Sequence, residues 1–243
     1  MLLVREDFAR GRCPRWAVQA HESFVTALRD TDYPCYFGAQ AERQGYLRYA
    51  LVTGGQYEHL GDDLAQFVEL SRANPRARHL FVVFFDDHGD FHDDEDRFWE
   101  LLQWLHERDP APWPGEIPRD PNHPGWEFCF AGDPMFVFPS IPGYRKRRSR
   151  RIGDAFALCF QPRRIFAGVE RDDPGGAVIR SDIYRRVRRW DELPPHPQLE
   201  HLAYGDPDMR EWKQYVLPDE NVPLKTQCPL KVTGRQPRRG RGS

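Results

Sequence analysis

Apolar residues recur along this chain with two periods, which divide it into helices and strands that first alternate and then cluster as strands. Across residues 15–30, Trp16, Ala20, Phe24, Ala27 and Leu28 recur at helical spacing, and Pro34 follows as a stop. Residues 46–53 read as a strand ended by Gly54-Gly55. Leu60–Ala73 is helical, with Leu60, Leu64, Phe67, Val68 and Leu70 on or near one face. Leu80–Phe85, LFVVFF, contains no polar position, as a central strand buried on both faces requires. Residues 91–108 give the best-defined helix: acids crowd the first turn, where the macrodipole favours them, and Phe98, Leu101, Leu102 and Leu105 form the apolar stripe. The segment PAPWPGEIPRDPNHPG that follows is too rich in proline for regular structure and reads as a stiff connector within one domain. Strand-like runs at 126–130, 135–138 and 155–160 come next, then an Arg-rich helical stretch at 181–190. This order predicts an α+β (mixed α/β) fold: one domain over residues 1–222, built as a mixed β-sheet with helices packed on it. Residues 223–243 read as a disordered tail rich in Arg and Gly.

Size and composition narrow the function classes. A chain of 243 residues supports one substantial core or at most two small ones. With 40% hydrophobic and 13% aromatic residues, wholesale disorder is excluded. The net charge of −2 argues against bulk attraction to nucleic acid. The charge is uneven, however: 86–96 is acidic, whereas 145–151, 180–189 and 235–241 are basic. No apolar run reaches the ~18 residues of a transmembrane helix. The N-terminus MLLVREDFARGR carries acids and lacks the apolar core of a secretory signal. Five cysteines with no C-x-x-C pair fit reduced thiols in a cytoplasmic protein and argue against a structural zinc site. Hydrolase, P-loop, dinucleotide and zincin motifs are absent.

Three groups of residues could carry chemistry. Arg145, Lys146, Arg147, Arg148, Arg150 and Arg151 form a cationic cluster between core strands. It reads as a solvated run, as a nucleic-acid site with Trp and Tyr nearby for stacking, or as a clamp for carboxylates or phosphates. The position between core strands favours the clamp. His106 lies four residues after Leu102 and seven after Trp99, which puts it at the border of the buried helix face. Asp109 is placed to orient its imidazole in the manner of a metal-ligating histidine; the alternative is a half-buried histidine complementing a helix C-terminus. Cys35, Cys129 and Cys159 each have apolar or aromatic neighbours. They read as small hydrophobes, or as thiolate ligands if hydrogen-bond donors reach the sulfur.

Six blocks, taken together and in order, resemble the YqcI/YcgG family: YPCYFG (33–38), FWELLQWLHERDPAPWPGEIPRDP (98–121), WEFCFAGDPMFVF (126–138), YRKRRSR (144–150), CFQPRRIF (159–166) and EWKQYVLPDEN (211–221). The resemblance implies a cytoplasmic heme protein of secondary metabolism. It would be a monooxygenase with heme b that uses dioxygen and an electron donor to N-hydroxylate a guanidine or amine group of a small arginine-like metabolite. On that reading His106 ligates the iron with Asp109 as its orienting acid, and Cys129 or Cys35 is the alternative ligand. Arg147, Arg148 and Arg150 would hold heme propionates or a substrate carboxylate. Glu211, Trp212 and Tyr215 would anchor a cationic guanidinium. Ile141-Pro142 stands where some members carry a His-Pro pair, so a histidine catalytic in those would be missing here. The competing readings are a non-catalytic heme or small-molecule carrier and a nucleic-acid-binding module using the Arg run.

Overall fold

The computed structural model describes residues 2–86, 91–169, 173–199, 202 and 206–232, with the backbone alone at 91–93 and 174. Among them the helices are α1 (Arg5–Ala9), α2 (Arg15–Arg29), α3 (Tyr36–Gln44), α4 (Leu60–Ala73), α5 (Phe91–Glu107) and α6 (Pro174–Trp190). The strands are β1 (Leu47–Val52), β2 (Leu80–Phe85), β3 (Phe128–Phe130), β4 (Asp133–Ser140) and β5 (Ala157–Pro162). They form one sheet in the order β1-β2-β5-β4-β3, in which β1 and β2 are parallel and the other neighbours antiparallel. The parallel pair is joined through α4, as a crossover requires. The α+β fold with a mixed sheet is therefore the one its sequence pattern predicts.

Side-chain alternation splits the core into two layers. From β2, Phe81, Val83 and Phe85 pack with Leu64 and Phe67 of α4 and Leu101, Leu102 and Leu105 of α5. The intervening Leu80, Val82 and Phe84 pack with Ala17, Ala20, Phe24 and Leu28 of α2 on the opposite face. Every residue of β2 is buried, which explains a run without a polar position. The same parity continues outward. Leu158 and Phe160 of β5 and Met135 and Val137 of β4 face the first layer, whereas Ala157, Cys159 and Phe138 face the second.

Two backbone features fix the loops around this sheet. The β3–β4 hairpin turns through Ala131 and Gly132 at φ 52° and 73°, the left-handed pair that matches the twist of the strands. Asp109 Oδ1 accepts from Ala131 N at 2.8 Å and from Ala111 N at 2.9 Å, and Arg72 Nη2 donates to Ala131 O at 2.8 Å. The long β4–β5 loop, which carries the cationic cluster, is pinned to α2. Asp154 N donates to Ser23 Oγ at 3.1 Å. Gly153 has φ +84°, and a Cβ there would lie 2.7 Å from both Phe24 N and Ser23 Oγ.

Two helices and one boundary depart from the sequence pattern. Helices α1 and α3 escape the sequence pattern. The packed chain also continues beyond the boundary predicted at 222: Leu224 is 7% and Leu230 is 3% exposed, and Leu230 joins the first layer. Irregular backbone does not prevent burial here, because Gln103 of α5 pairs with Lys231 through both its amide N and O, at 3.2 and 2.8 Å. The remainder of the predicted tail, residues 233–243, lies outside the described residues. Among the described residues no helix is long and apolar enough to cross a membrane. Gly153→Ala should destabilise the fold by about 2–3 kcal/mol through strained backbone and collision with α2. Urea unfolding checks this, and a loss below about 0.5 kcal/mol, the range of ordinary surface substitutions, would contradict the close approach.

Candidate functional site

A cavity of about 310 Å³, on the scale of small-molecule sites, opens over the second-layer face of β4 and β5. Phe136 and Phe138 of β4, Phe37 of α3 and Phe166 give it aromatic walls, and α6 contributes Arg180, Ile183, Tyr184 and Val187. Its polar lining includes Cys35, Gln161, His196 and the four arginines 147, 150, 163 and 180. Among the described residues, no aspartate or glutamate lines it.

Cys35 caps the N-terminus of α3, and its Sγ accepts a hydrogen bond from Gly38 N at 3.3 Å. A side chain at Gly38 would press on Leu28 at 3.2 Å, so glycine lets the amide reach the sulfur. Burial raises the Cys35 pKa, but the Gly38 and Phe37 amides, the Arg150 guanidinium and the Gln161 amide all pull it back. Cys159 and Cys129 lack such a set of donors. Burial drives both far above the usual thiol range, and Arg150 alone opposes it at Cys159. Cys129 is fully buried and away from the cavity, with its Sγ turned to Glu127 O at 3.5 Å. His196 has both ring nitrogens engaged, Nε2 with Val222 O at 2.9 Å and Nδ1 with Gln198 N at 3.3 Å.

The cationic cluster is not a continuous stripe. Asp219 gathers the backbone amides of Arg145, Lys146 and Arg147 on its carboxylate at 2.8–3.0 Å. This tight anchor turns successive side chains in different directions. Arg147, 1% exposed, points inward and donates to Pro218 O and Asn221 Oδ1, each at 2.6 Å. Arg150 lies over Phe138 at 4.8 Å and donates to Gln214 O at 2.8 Å. Burial lowers the pKa of both guanidiniums. Arg148 departs from the expected clamp. It covers Trp190 at 5.4 Å and, with Arg145 and Arg151, lines a separate open groove beside Glu22, Asp30 and Glu192.

The structure distributes the other sequence candidates elsewhere. His106 is 7% exposed and meets Trp113 edge-on at 5.6 Å, on the helix whose leucines fill the first layer, across the sheet from the cavity. Asp109 holds the β3–β4 turn through the two amide bonds described above. Glu211, Trp212 and Tyr215 are likewise buried in the first-layer region rather than lining the cavity. Glu211 pairs with Arg163, which also binds Glu127 Oε2 at 2.6 Å. Trp212 Nε1 donates to Pro121 O at 3.1 Å. The Tyr215 hydroxyl accepts from Phe128 N at 3.1 Å and lies 3.0 Å from Glu211 Oε1. Ile141 is fully buried in the first layer, so the departure from His-Pro removes no side chain from the cavity wall. Of the expected site residues, Cys35, Arg147 and Arg150 share the cavity. Gln161, Arg163 and Arg180 join them without having been singled out. Gln161 alone left a sequence signal: it is the one polar residue in a strand that otherwise reads ALCF-P.

Among the described residues, this α+β domain carries an aromatic, arginine-lined pocket of the size that small molecules occupy. The chain belongs to the YqcI/YcgG family, whose model matches residues 23–231. It is 37% identical over 229 residues to the "Putative N(omega)-hydroxy-L-arginine synthase DcsA" of Streptomyces lavendulae, covering 90% of this chain and 85% of that protein. It is 35% identical to YcgG and 34% identical to YqcI, uncharacterized proteins of Bacillus subtilis (strain 168), each over 89% of this chain and 88% of theirs. No solved structure matches it. The donor set around Cys35 makes a direct prediction. Iodoacetamide should label Cys35 well ahead of Cys129 and Cys159, at a rate rising about tenfold per pH unit below its raised pKa. Site-resolved mass spectrometry at pH 7 to 10 measures this, and a pH-independent rate at Cys35 would contradict it.

Proposed function

We propose that this protein N-hydroxylates the guanidine or amine group of a small arginine-like molecule, using heme held in the aromatic cavity with Cys35 as the iron ligand. One observation carries the reading: a cysteine at a helix N-terminus presents its sulfur to an apolar pocket while accepting the Gly38 amide at 3.3 Å. A thiolate ligand needs that combination, because amide donors stabilise the anionic sulfur while aromatic walls exclude water. Metal binding would displace the thiol proton, offsetting the pKa rise that burial causes in the ligand-free pocket. Cys35 is a single protein donor, which suits an iron that arrives with its porphyrin nitrogens. The kinship to a protein named for N(omega)-hydroxy-L-arginine synthesis supports the N-hydroxylating class and an arginine-like substrate.

Heme held at Cys35 would supply dioxygen chemistry, in which two electrons and two protons from outside the chain accompany insertion of one oxygen atom into the substrate N–H bond and release of the other as water. The chain's own residues do the rest. Phe136, Phe138, Phe37 and Phe166 line the pocket with apolar surface that excludes solvent. The Gly38 and Phe37 amides, with Arg150 and Gln161, favour negative charge on sulfur. His106 is replaced as the proposed ligand because it packs across the sheet from this pocket.

Absorption spectroscopy of protein produced with heme supplementation tests the reading. A Soret band should appear in the wild type and in His106→Ala, and most of the bound heme should be lost in Cys35→Ala. The ferrous–carbon monoxide band should sit at the red-shifted position of thiolate ligation. A wild type without a Soret band would refute the proposal. Heme retained in Cys35→Ala but lost in His106→Ala would return the ligand to α5.

A further inference from the structure

Charge and hydrogen bonding at one end of the cavity point to a group that the ligand must bring. Arg147 and Arg150 both line the cavity, and among the described residues neither forms an ion pair with a carboxylate. Asp191 attracts both at longer range, but its oxygens are engaged by Ser149 N at 2.6 Å and Ser149 Oγ at 2.7 Å. Arg163, by contrast, is matched by Glu127 and Glu211. A second observation is independent of the arginines. Gln161 is 2% exposed and lines the same cavity; its Nε2 interacts with the Cys35 sulfur but, among the described residues, meets no oxygen acceptor in hydrogen-bond geometry. A buried amide donor and a half-buried guanidinium without a carboxylate partner, facing one space, are costly to leave uncompensated. An oxyanion matches both, and a planar carboxylate suits the guanidinium fork.

We infer that Arg150 and Gln161, backed by Arg147, form a receptor for a carboxylate of the bound ligand. The inference rests on the proposed function and deepens it, since both an amino-acid substrate and the heme itself carry carboxylates. In the substrate case, the carboxylate becomes a condition of binding: an arginine-like amino acid is accepted, and the corresponding amine without a carboxylate is rejected. Arg150 is then the specificity-determining residue and Gln161 the positioning one.

The test compares wild type, Arg150→Met, Arg150→Lys and Gln161→Leu, all produced with heme. Heme content is read from the Soret band, and affinity by calorimetric titration with L-arginine and with agmatine, its decarboxylated form. If the substrate supplies the carboxylate, L-arginine binds the wild type at least about 10-fold tighter than agmatine. Arg150→Met then weakens L-arginine by about 10–100-fold and Gln161→Leu by about 2–10-fold, each compared in samples matched for heme content. Arg150→Lys restores only part of the loss, because a point charge lacks the fork. If the propionates supply it, the same variants lose heme instead. Either pattern supports the receptor. The inference is overturned if both Arg150→Met and Gln161→Leu keep wild-type heme content and L-arginine affinity, or if the wild type binds neither heme nor L-arginine. A wild type that lacks a Soret band but discriminates L-arginine from agmatine through Arg150 would refute the heme reading and leave the receptor standing. Circular dichroism checks folding, and the near-isosteric Gln161→Leu carries the test if Arg150→Met does not fold.

Discussion

Burying positive charge beside an aromatic core is the constraint that organises this structure. Removing a guanidinium from water costs several kcal/mol unless neighbouring groups replace its solvation. Around residues 144–151 they do so in part, with neutral acceptors that leave the positive charge itself unpaired among the described residues. Pro218 O and Asn221 Oδ1 receive Arg147, and Gln214 O receives Arg150. Asp219 fixes the backbone at 145–147, Asp191 fixes Ser149, and Ile141 N donates to Arg150 O at 2.9 Å. The C-terminal segment, the β4–β5 loop and the end of α6 are thereby tied into one wall. That wall completes the cavity, so the groups that stabilise the buried cations also shape the pocket.

The sheet divides the labour between its faces. The first layer, between the sheet and helices α4 and α5, is a closed aromatic and aliphatic core in which Trp126, Tyr215 and Phe98 are fully buried. The second layer is closed by α2 near β1 and β2, but opens under α6 where β4 and β5 pass beneath it. Arg163 links the two regions. It lines the cavity, while its carboxylate partners Glu127 and Glu211 are buried behind the floor and Glu211 reaches the Tyr215 hydroxyl. Through this contact the first-layer core positions a cavity residue without itself meeting a ligand.

How much of this was legible in the sequence differed by element. Where one residue type runs with one period, as in LFVVFF or the leucine stripe of α5, the predicted and observed elements agree to within a residue. Helix α3 was missed because Pro34 reads as a stop, whereas it stands just before a cysteine N-cap; the left-handed Gly45 that ends the helix was the available signal. Burial of His106 was readable from its spacing to Leu102. Which side of the sheet α5 packs against was not, because periodicity gives a helix its apolar face and not its partner. Adjacent members of the Arg run diverge for a related reason: the turn that Asp219 imposes depends on a residue more than seventy positions away, and no local pattern records it. Strand parity was the neglected clue. Gln161 lies two residues beyond Cys159, which shares the second layer with Phe138, so a polar side chain was pointing at the cavity face throughout.

The claim on which the functional reading turns is that Cys35, capping α3, holds the iron. X-ray absorption at the iron edge of the heme-loaded protein examines the first coordination shell directly. A sulfur scatterer beside the four porphyrin nitrogens, absent when Cys35 is replaced by alanine, is the expected result. A shell of nitrogen or oxygen scatterers alone in the wild type would contradict it.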